Sequence, residues 1–300
     1  MNPSLKFLPE VRGQYTEKAP LANATWFKVG GPADVLFMPA DTEDLSQFLI
    51  NRPKDLDLSI LGLCSNVIIR DNGISGFVVK LGQGFTEAVI EGGLVKVGCG
   101  LPNSHLVSVL MKAGLVGLEF LSGIPGSVGG AVAMNAGCYG SEVKDYLVSV
   151  EAVNKSTGKI YQIPTKDLSL SYRHNGLTDD FIFTSASFLL KFEEDRNKIK
   201  NNIRRIAEMK LASQPTVEKT GGSTFKNPSG HKAWELIDQA GLRGFTLGGA
   251  RVSEKHTNFF INSKSGSAKD LEDLGELVIN KVREKFNITL EWEIKRMGRR

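Results

Sequence analysis

The sequence predicts an α+β fold in which a β-rich unit of two lobes is followed by a smaller C-terminal α+β unit. Three observations carry this reading. The chain has 300 residues, more than one ordinary hydrophobic core accommodates. Up to about residue 192 it alternates short β-type runs with glycine turns, and from 193 it turns into charged amphipathic helix. Its 32 glycines sit in clusters between hydrophobic segments and belong to no simple repeat, which marks tight turns and close backbone approaches. The expected division is a leader at 1–20, a first lobe at 21–83, a second lobe at 84–194 and a C-terminal unit at 195–300.

Each element has its own signal. Ala33–Met38 reads as a strand behind the Gly30-Gly31-Pro32 turn, and Asp41 and Thr42 offer N-caps to a helix reaching Ile50. Short strands follow at 58–61, 66–70, 77–81, 88–91 and 94–97, separated by turns such as Asn72-Gly73 and Gly92-Gly93. Pro102 suits the first turn of a helix running to Ala113. Segments 147–154 and 159–163 flank Ser156-Thr157-Gly158 as a hairpin, and 181–192 reads as one long strand. A helix is expected over 193–212, with Ile199, Ile203, Ile206 and Met209 at helical spacing, and another over 232–240. Strand 259–261 precedes a last helix whose Ser267 and Asp270 form a capping box, and strand 288–294 closes the fold.

Composition narrows the function classes. The 37 basic against 33 acidic residues leave +4, too small an excess to argue for nucleic-acid binding. Cys64, Cys99 and Cys138 are widely spaced and cluster with no histidine, so neither a disulfide framework nor a zinc site is indicated. The first twenty residues carry scattered charges and no apolar core, and no run of eighteen apolar residues occurs anywhere. The chain therefore reads as cytosolic.

The segment Ser122–Gly140 holds six glycines in nineteen residues and no acidic side chain. A pyrophosphate requires backbone N–H groups with no Cβ in the way and no carboxylate nearby, and both Gly126–Gly130 and Asn135–Gly140 meet those terms. Composition favours binding here over a plain structural loop, and both readings stay open. Gly62-Leu-Cys-Ser-Asn66 is a second candidate, with Ser65 and Asn66 adding side-chain donors, although an ordinary strand connection fits it equally. Gly98-Cys-Gly-Leu-Pro-Asn103 imitates a dinucleotide fingerprint but has Asn103 at the third glycine position, and reads as structural. Taken singly, Ser223 in Gly221–Pro228, Arg173 in Ser171–Asn175 and Glu293 in the alternating segment Leu290–Ile294 all read as surface residues.

Their combination is more specific. Thr25-Trp-Phe-Lys-Val-Gly-Gly-Pro-Ala-Asp34, the pair Ser65-Asn66 and Ser-Gly-Ile-Pro-Gly-Ser-Val-Gly-Gly at 122–130 occur in this order. They are followed by Asn-Ala-Gly-Cys-Tyr-Gly at 135–140, Ser-Tyr-Arg at 171–173 and Gly-Ser-Thr-Phe-Lys-Asn-Pro at 222–228. Val-Ser-Glu-Lys-His at 252–256 and Glu-Trp-Glu-Ile at 291–294 complete the series. From about residue 20 to 298 the chain resembles the UDP-N-acetylenolpyruvoylglucosamine reductases, flavoenzymes of bacterial cell-wall precursor synthesis.

The resemblance implies two lobes that clamp FAD in the manner of vanillyl-alcohol oxidase, a substrate domain over 195–300, NADPH as hydride source and UDP-N-acetylglucosamine enolpyruvate as substrate. It puts FAD against Gly62, Ser65, Asn66, Ile124, Gly126, Ser127, Gly129, Gly130, Asn135 and Gly137. It gives catalytic roles to Arg173, Ser223 and Glu293, and substrate contacts to Lys226 and Asn227. In that scheme Arg173 and a protonated Glu293 stabilise charge developing toward the substrate carboxylate, and Ser223 protonates the neighbouring carbon.

The chain departs from the family pattern at several points. About eight residues separate Arg173 from the strand at Phe181, too few for the tyrosine-bearing lid of one subclass, so the short-loop subclass fits. Ser213-Gln-Pro215 lacks the usual lysine, for which Lys219 is the candidate replacement. Cys64 stands where a second glycine is usual, and His256 has no assigned role. Two alternatives remain, another flavin oxidase on the same fold and a non-catalytic nucleotide-binding module. The serine loop with Lys226 and Asn227 argues against the first, and a flavin absorption spectrum separates the second.

Overall fold

The computed structural model describes residues 8–177 and 180–300, which form two compact units. The first comprises residues up to Glu17, Val35–Leu63 and Gly76–Glu208; the second comprises Lys18–Asp34, Cys64–Ser75 and Met209–Arg300. The C-terminal unit thus takes two early segments of chain that the division at 195 assigns to a leader and a first lobe.

The first unit contains a four-stranded sheet ordered Gln14–Ala19, Ala33–Met38, Ile74–Lys80, Leu58–Leu61, whose last two strands pair in parallel. Residues 14–19, expected as leader, are its edge strand. They are fastened by Asp44, whose carboxylate accepts the backbone N–H groups of Arg12, Gly13 and Ala40 at 2.7–2.9 Å. The Thr42–Asn51 helix starts at the Asp41 cap and buries Leu45, Phe48 and Leu49 against Phe37 and Phe77. Burial of side chains of this size contributes roughly 1.5–3 kcal/mol each.

A second, five-stranded sheet is antiparallel and ordered Ile160–Pro164, Leu147–Asn154, Phe181–Leu189, Leu94–Gly98, Ala88–Glu91. The long strand expected over 181–192 stops at Leu189. Leu190 instead donates to the carbonyl of Gly93, and Lys191–Phe192 pairs separately with Leu115–Val116. Helices Asn103–Ala113 and Val128–Ala133 pack on this unit's core through Leu106, Val107, Leu110, Val128 and Val132.

In the second unit the Ala268–Phe286 helix begins at the expected Ser267–Asp270 capping box and ends at Asn287 in the left-handed region. It buries Leu271, Leu274, Val278 and Val282 among Phe27, Val29, Ile68, Phe225 and Phe260. Strands Thr246–Leu247, Ala250–Val252 and Phe260–Asn262 form an antiparallel sheet. The strand expected over 288–294 is absent. Only Trp292 bridges there, to Phe225, and regular pairing begins at Lys295–Met297, parallel to Val67–Ile69. Alternation of side chains in Leu290–Ile294 imitates a strand, but the backbone of this stretch turns to serve the 223–226 loop. Among the described residues no helix is long and apolar enough to cross a membrane.

Candidate active site

The glycine-rich segment divides into packing glycines and an open face. A Cβ at Gly129 would lie 2.9 Å from that of Cys99, and one at Gly137 would lie 2.7 Å from that of Glu142. The N–H groups of Val128 and Gly129 donate to the carbonyls of Leu101 and Cys99, both at 2.9 Å. The first turn of the short helix is therefore occupied by its own protein, contrary to the expectation that its amides point at phosphate. The segment at 137–142 is a tight hairpin around Tyr139-Gly140, with Cys138 opposite Ser141.

What stays open is narrower. Gly126 has φ +133°, and among the described residues the N–H groups of Gly126 and Ser127 take no protein acceptor. A Cβ at Gly130 would meet only the Ser127 hydroxyl, at 3.6 Å, and one at Gly62 would meet the same hydroxyl at 2.9 Å. The two glycine loops that the sequence singled out thus abut at Ser127, and a side chain at either glycine would fill the space beside it.

Asn103 is the residue that sequence reasoning missed here. The segment read as structural does brace the loop: the Asn103 backbone N–H donates to the Gly126 carbonyl at 2.9 Å and its Nδ2 to the Ile124 carbonyl at 3.0 Å. Its Oδ1 is buried with no protein partner among the described residues. An orphaned acceptor next to an exposed backbone cradle suits a ligand that brings its own donors. The space beside Ser127 and the N–H groups of Gly126 and Ser127 suit a phosphate-bearing cofactor such as FAD. The sequence signal for Asn103 is local, an Asn after Pro at a helix start.

Arg173 lies on a two-residue turn closed by reciprocal backbone bonds between Ser171 and His174, at 3.0 and 3.1 Å. Its φ is +57°, and its guanidinium sits 4.8 Å above the Tyr172 ring. Asn135, read from the sequence as a flavin contact, is 1% exposed, and its carboxamide bonds Glu142, Ser171 and Lys144.

In the second unit Ser223 and Glu293 belong to one piece of structure. The carbonyl of Thr224 accepts the N–H of Glu293 at 2.8 Å, while the N–H of Thr224 donates to Asn258 at 2.7 Å. Lys226 donates its backbone N–H to Glu291 at 2.8 Å, and the Asn258 carboxamide clasps both backbone groups of Phe225. Asn66 joins the same piece, with its Nδ2 3.3 Å from the Glu293 carbonyl. Ser65 precedes it in this unit. Lys226 reaches Glu291 at 3.4 Å, and the Asn227 side chain caps the next helix at Ala233. Lys219 is exposed and gives its carbonyl to Asn262. Within the Thr25–Asp34 motif Phe27 and Val29 belong to the core, and Phe27 packs under Gly221, where a Cβ would lie 2.4 Å from its ring.

His256 is half-buried against Phe259 and Trp234, and its Nδ1 accepts from the Asn258 N–H at 3.3 Å. Partial burial, with a smaller effect of Arg243, lowers its pKa below the ordinary histidine value and so favours the neutral ring. Cys64 adopts φ +54°, a conformation natural to glycine, and its carbonyl accepts from Trp26.

A mixed fold with an open glycine loop in one unit, and Ser223 and Glu293 on adjoining backbone segments of the other, suits an FAD-dependent oxidoreductase. Comparison with known proteins agrees: an FAD binding domain matches residues 33–163, and the C-terminal domain of UDP-N-acetylenolpyruvoylglucosamine reductase matches 214–297. The chain is 48% identical to the UDP-N-acetylenolpyruvoylglucosamine reductase of Azorhizobium caulinodans, over 97% of this chain and 94% of that one. With the corresponding protein of Anaplasma marginale it shares 47%, over 97% and 96%. The crystal structure of the Thermus caldophilus enzyme superposes with a TM-score of 0.82 at 31% identity, covering 96% of this chain and all of that one. Berberine bridge enzyme, at 13% identity and a TM-score of 0.51, shares the FAD-binding fold alone, over 64% of this chain and 43% of its own. This chain belongs to the UDP-N-acetylenolpyruvoylglucosamine reductase family. It is an FAD-dependent reductase of the enolpyruvyl group of UDP-N-acetylglucosamine enolpyruvate, a step in peptidoglycan synthesis.

Proposed function

We propose that the electrons come from NADPH, that the reaction runs in the cytoplasm without an obligate protein partner, and that Arg173, Ser223 and Glu293 perform it. Bound FAD, once reduced by NADPH, would supply a hydride equivalent for the enolpyruvyl double bond. Hydride addition at one carbon sends the electron pair toward the neighbouring carbon and its carboxylate. Arg173 meets that charge as a permanent cation, and Glu293 in its protonated form meets it as a hydrogen-bond donor. The Ser223 hydroxyl then gives its proton to the carbon, a transfer that works because the carbanion-like species is a far stronger base than water. Lys226 and Asn227 hold the substrate from the same loop, with Lys219 as the further cation. On the FAD side, Gly62, Ser65, Asn66, Ile124, Gly126, Ser127, Gly129, Gly130 and Gly137 stand as the cofactor segment.

The observation that carries this reading is the grip of Thr224 on Glu293, which sets the serine and the carboxylate on two adjoining backbone segments. NADPH oxidation by FAD-loaded protein, with and without UDP-N-acetylglucosamine enolpyruvate, tests the donor and substrate together. Ser223→Ala should leave reduction of FAD by NADPH near the wild-type rate and abolish formation of UDP-N-acetylmuramate. Equal loss of both would remove Ser223 from the role of proton donor.

A further inference from the structure

The turn that carries Arg173 holds a residue with a side chain in the left-handed region, at φ +57°. Such a conformation persists where the surroundings over-determine it, and it recurs at functional sites. Here two carboxamides fix it from opposite ends. Asn135 donates through Nδ2 to the Ser171 carbonyl at 3.1 Å and to Glu142 at 2.6 Å, while its Oδ1 accepts the Lys144 N–H at 2.9 Å. Asn175 donates through Nδ2 to the Ala133 carbonyl at 2.8 Å, and its Oδ1 accepts the Leu177 N–H at 2.9 Å. Ala133 is the last residue of the helix that Ser127 caps, and Asn135 lies two residues beyond it. The turn is therefore tied, before and after Arg173, to the chain leaving the flavin-side helix.

We propose that Asn135 and Asn175 are positioning residues that set the Arg173 guanidinium relative to the Ser127-capped helix, so that cofactor cradle and charge-stabilising cation move as one body. The proposal rests on the reading of Arg173 as catalytic. It also moves Asn135 from cofactor contact to this role, because both hydrogens of its amide and its oxygen are already engaged. Asn175 was visible in the sequence only as the residue two beyond an arginine.

The test separates the two half-reactions in the full-length, FAD-loaded protein. Asn175→Ala should slow oxidation of the pre-reduced enzyme by UDP-N-acetylglucosamine enolpyruvate about 10- to 100-fold, the scale of a misplacement near 1 Å. Its FAD affinity and its rate of reduction by NADPH should stay within about 2-fold of wild type, a change too small to mark loss of a binding contact. Asn175→Asp keeps the acceptor for Leu177 but replaces the donor to Ala133 with a carboxylate oxygen that repels that carbonyl; it should slow oxidation at least as much, and an unchanged far-ultraviolet circular dichroism spectrum guards against a turn that simply unfolds. Because Asn175 acts through Arg173, adding Asn175→Ala to Arg173→Ala should cost nothing more. An additive double variant, or a wild-type oxidation rate in both Asn175 variants beside an impaired Arg173→Ala, overturns the positioning role and leaves the arginine's own role standing. A wild-type rate in Arg173→Ala overturns the catalytic reading and the clamp with it. Asn135→Ala that loses FAD affinity while keeping its oxidation rate returns that residue to the cofactor.

Discussion

His256 shows how a single half-buried side chain links this fold to pH. The folded protein binds the imidazole proton more weakly than the unfolded chain does, because burial disfavours the cation. The contribution is then fully present above the unfolded value of 6.5 and is lost as pH falls through it toward the folded value. His256→Gln should flatten this dependence. Urea midpoints measured between about pH 8 and about pH 5 should fall more steeply for wild type than for the variant, and parallel curves would count against it. At the same scale, burial pushes the Cys99 thiol up, so this cysteine should resist alkylation in the native protein and react once it is denatured.

Among the elements, the helix Ala268–Phe286 was legible almost to the residue, since its capping box, apolar stripe and terminal Asn287 are all local signals. Gly275 in its interior is not explained by helix chemistry. A Cβ there would lie 2.0 Å from the Trp292 ring, which also bonds Glu276 and stacks on Arg296. Gly275→Ala should therefore lower the unfolding midpoint by overpacking, about 1–3 kcal/mol, despite the roughly 1 kcal/mol gain in helix propensity. Because Trp292 precedes Glu293, substrate reduction should fall as well, whereas a more stable, fully active variant would show that the tryptophan is free to shift. The helix ends, the hairpin at 147–164 and the Asp41 cap were readable for the same local reason. The closing strand and the break at Leu190 were not, because both depend on which distant backbone supplies the pairing. The site followed the same rule: Ser223 and Glu293 could be named only through family resemblance, since the contact that joins them runs through Thr224 and spans about seventy residues.

On the scale of the whole molecule, each unit is interleaved along the chain. The second unit's core unites Phe27, Val29 and Ile68 with residues beyond 225, so a fragment covering 209–300 lacks part of its interior and the partner of its last strand. That fragment should show no cooperative thermal transition by circular dichroism, and a sharp one would mean the early segments are dispensable. The parallel pairing of Val67–Ile69 with Lys295–Met297 also has a consequence during biosynthesis. The early strand leaves the ribosome with Ile68 and Ile69 uncovered, and its partner follows roughly 230 residues later, a wait of roughly 10–45 s at ordinary elongation rates. Through that interval the nascent chain carries an uncovered apolar strand, open to pairing with the wrong edge.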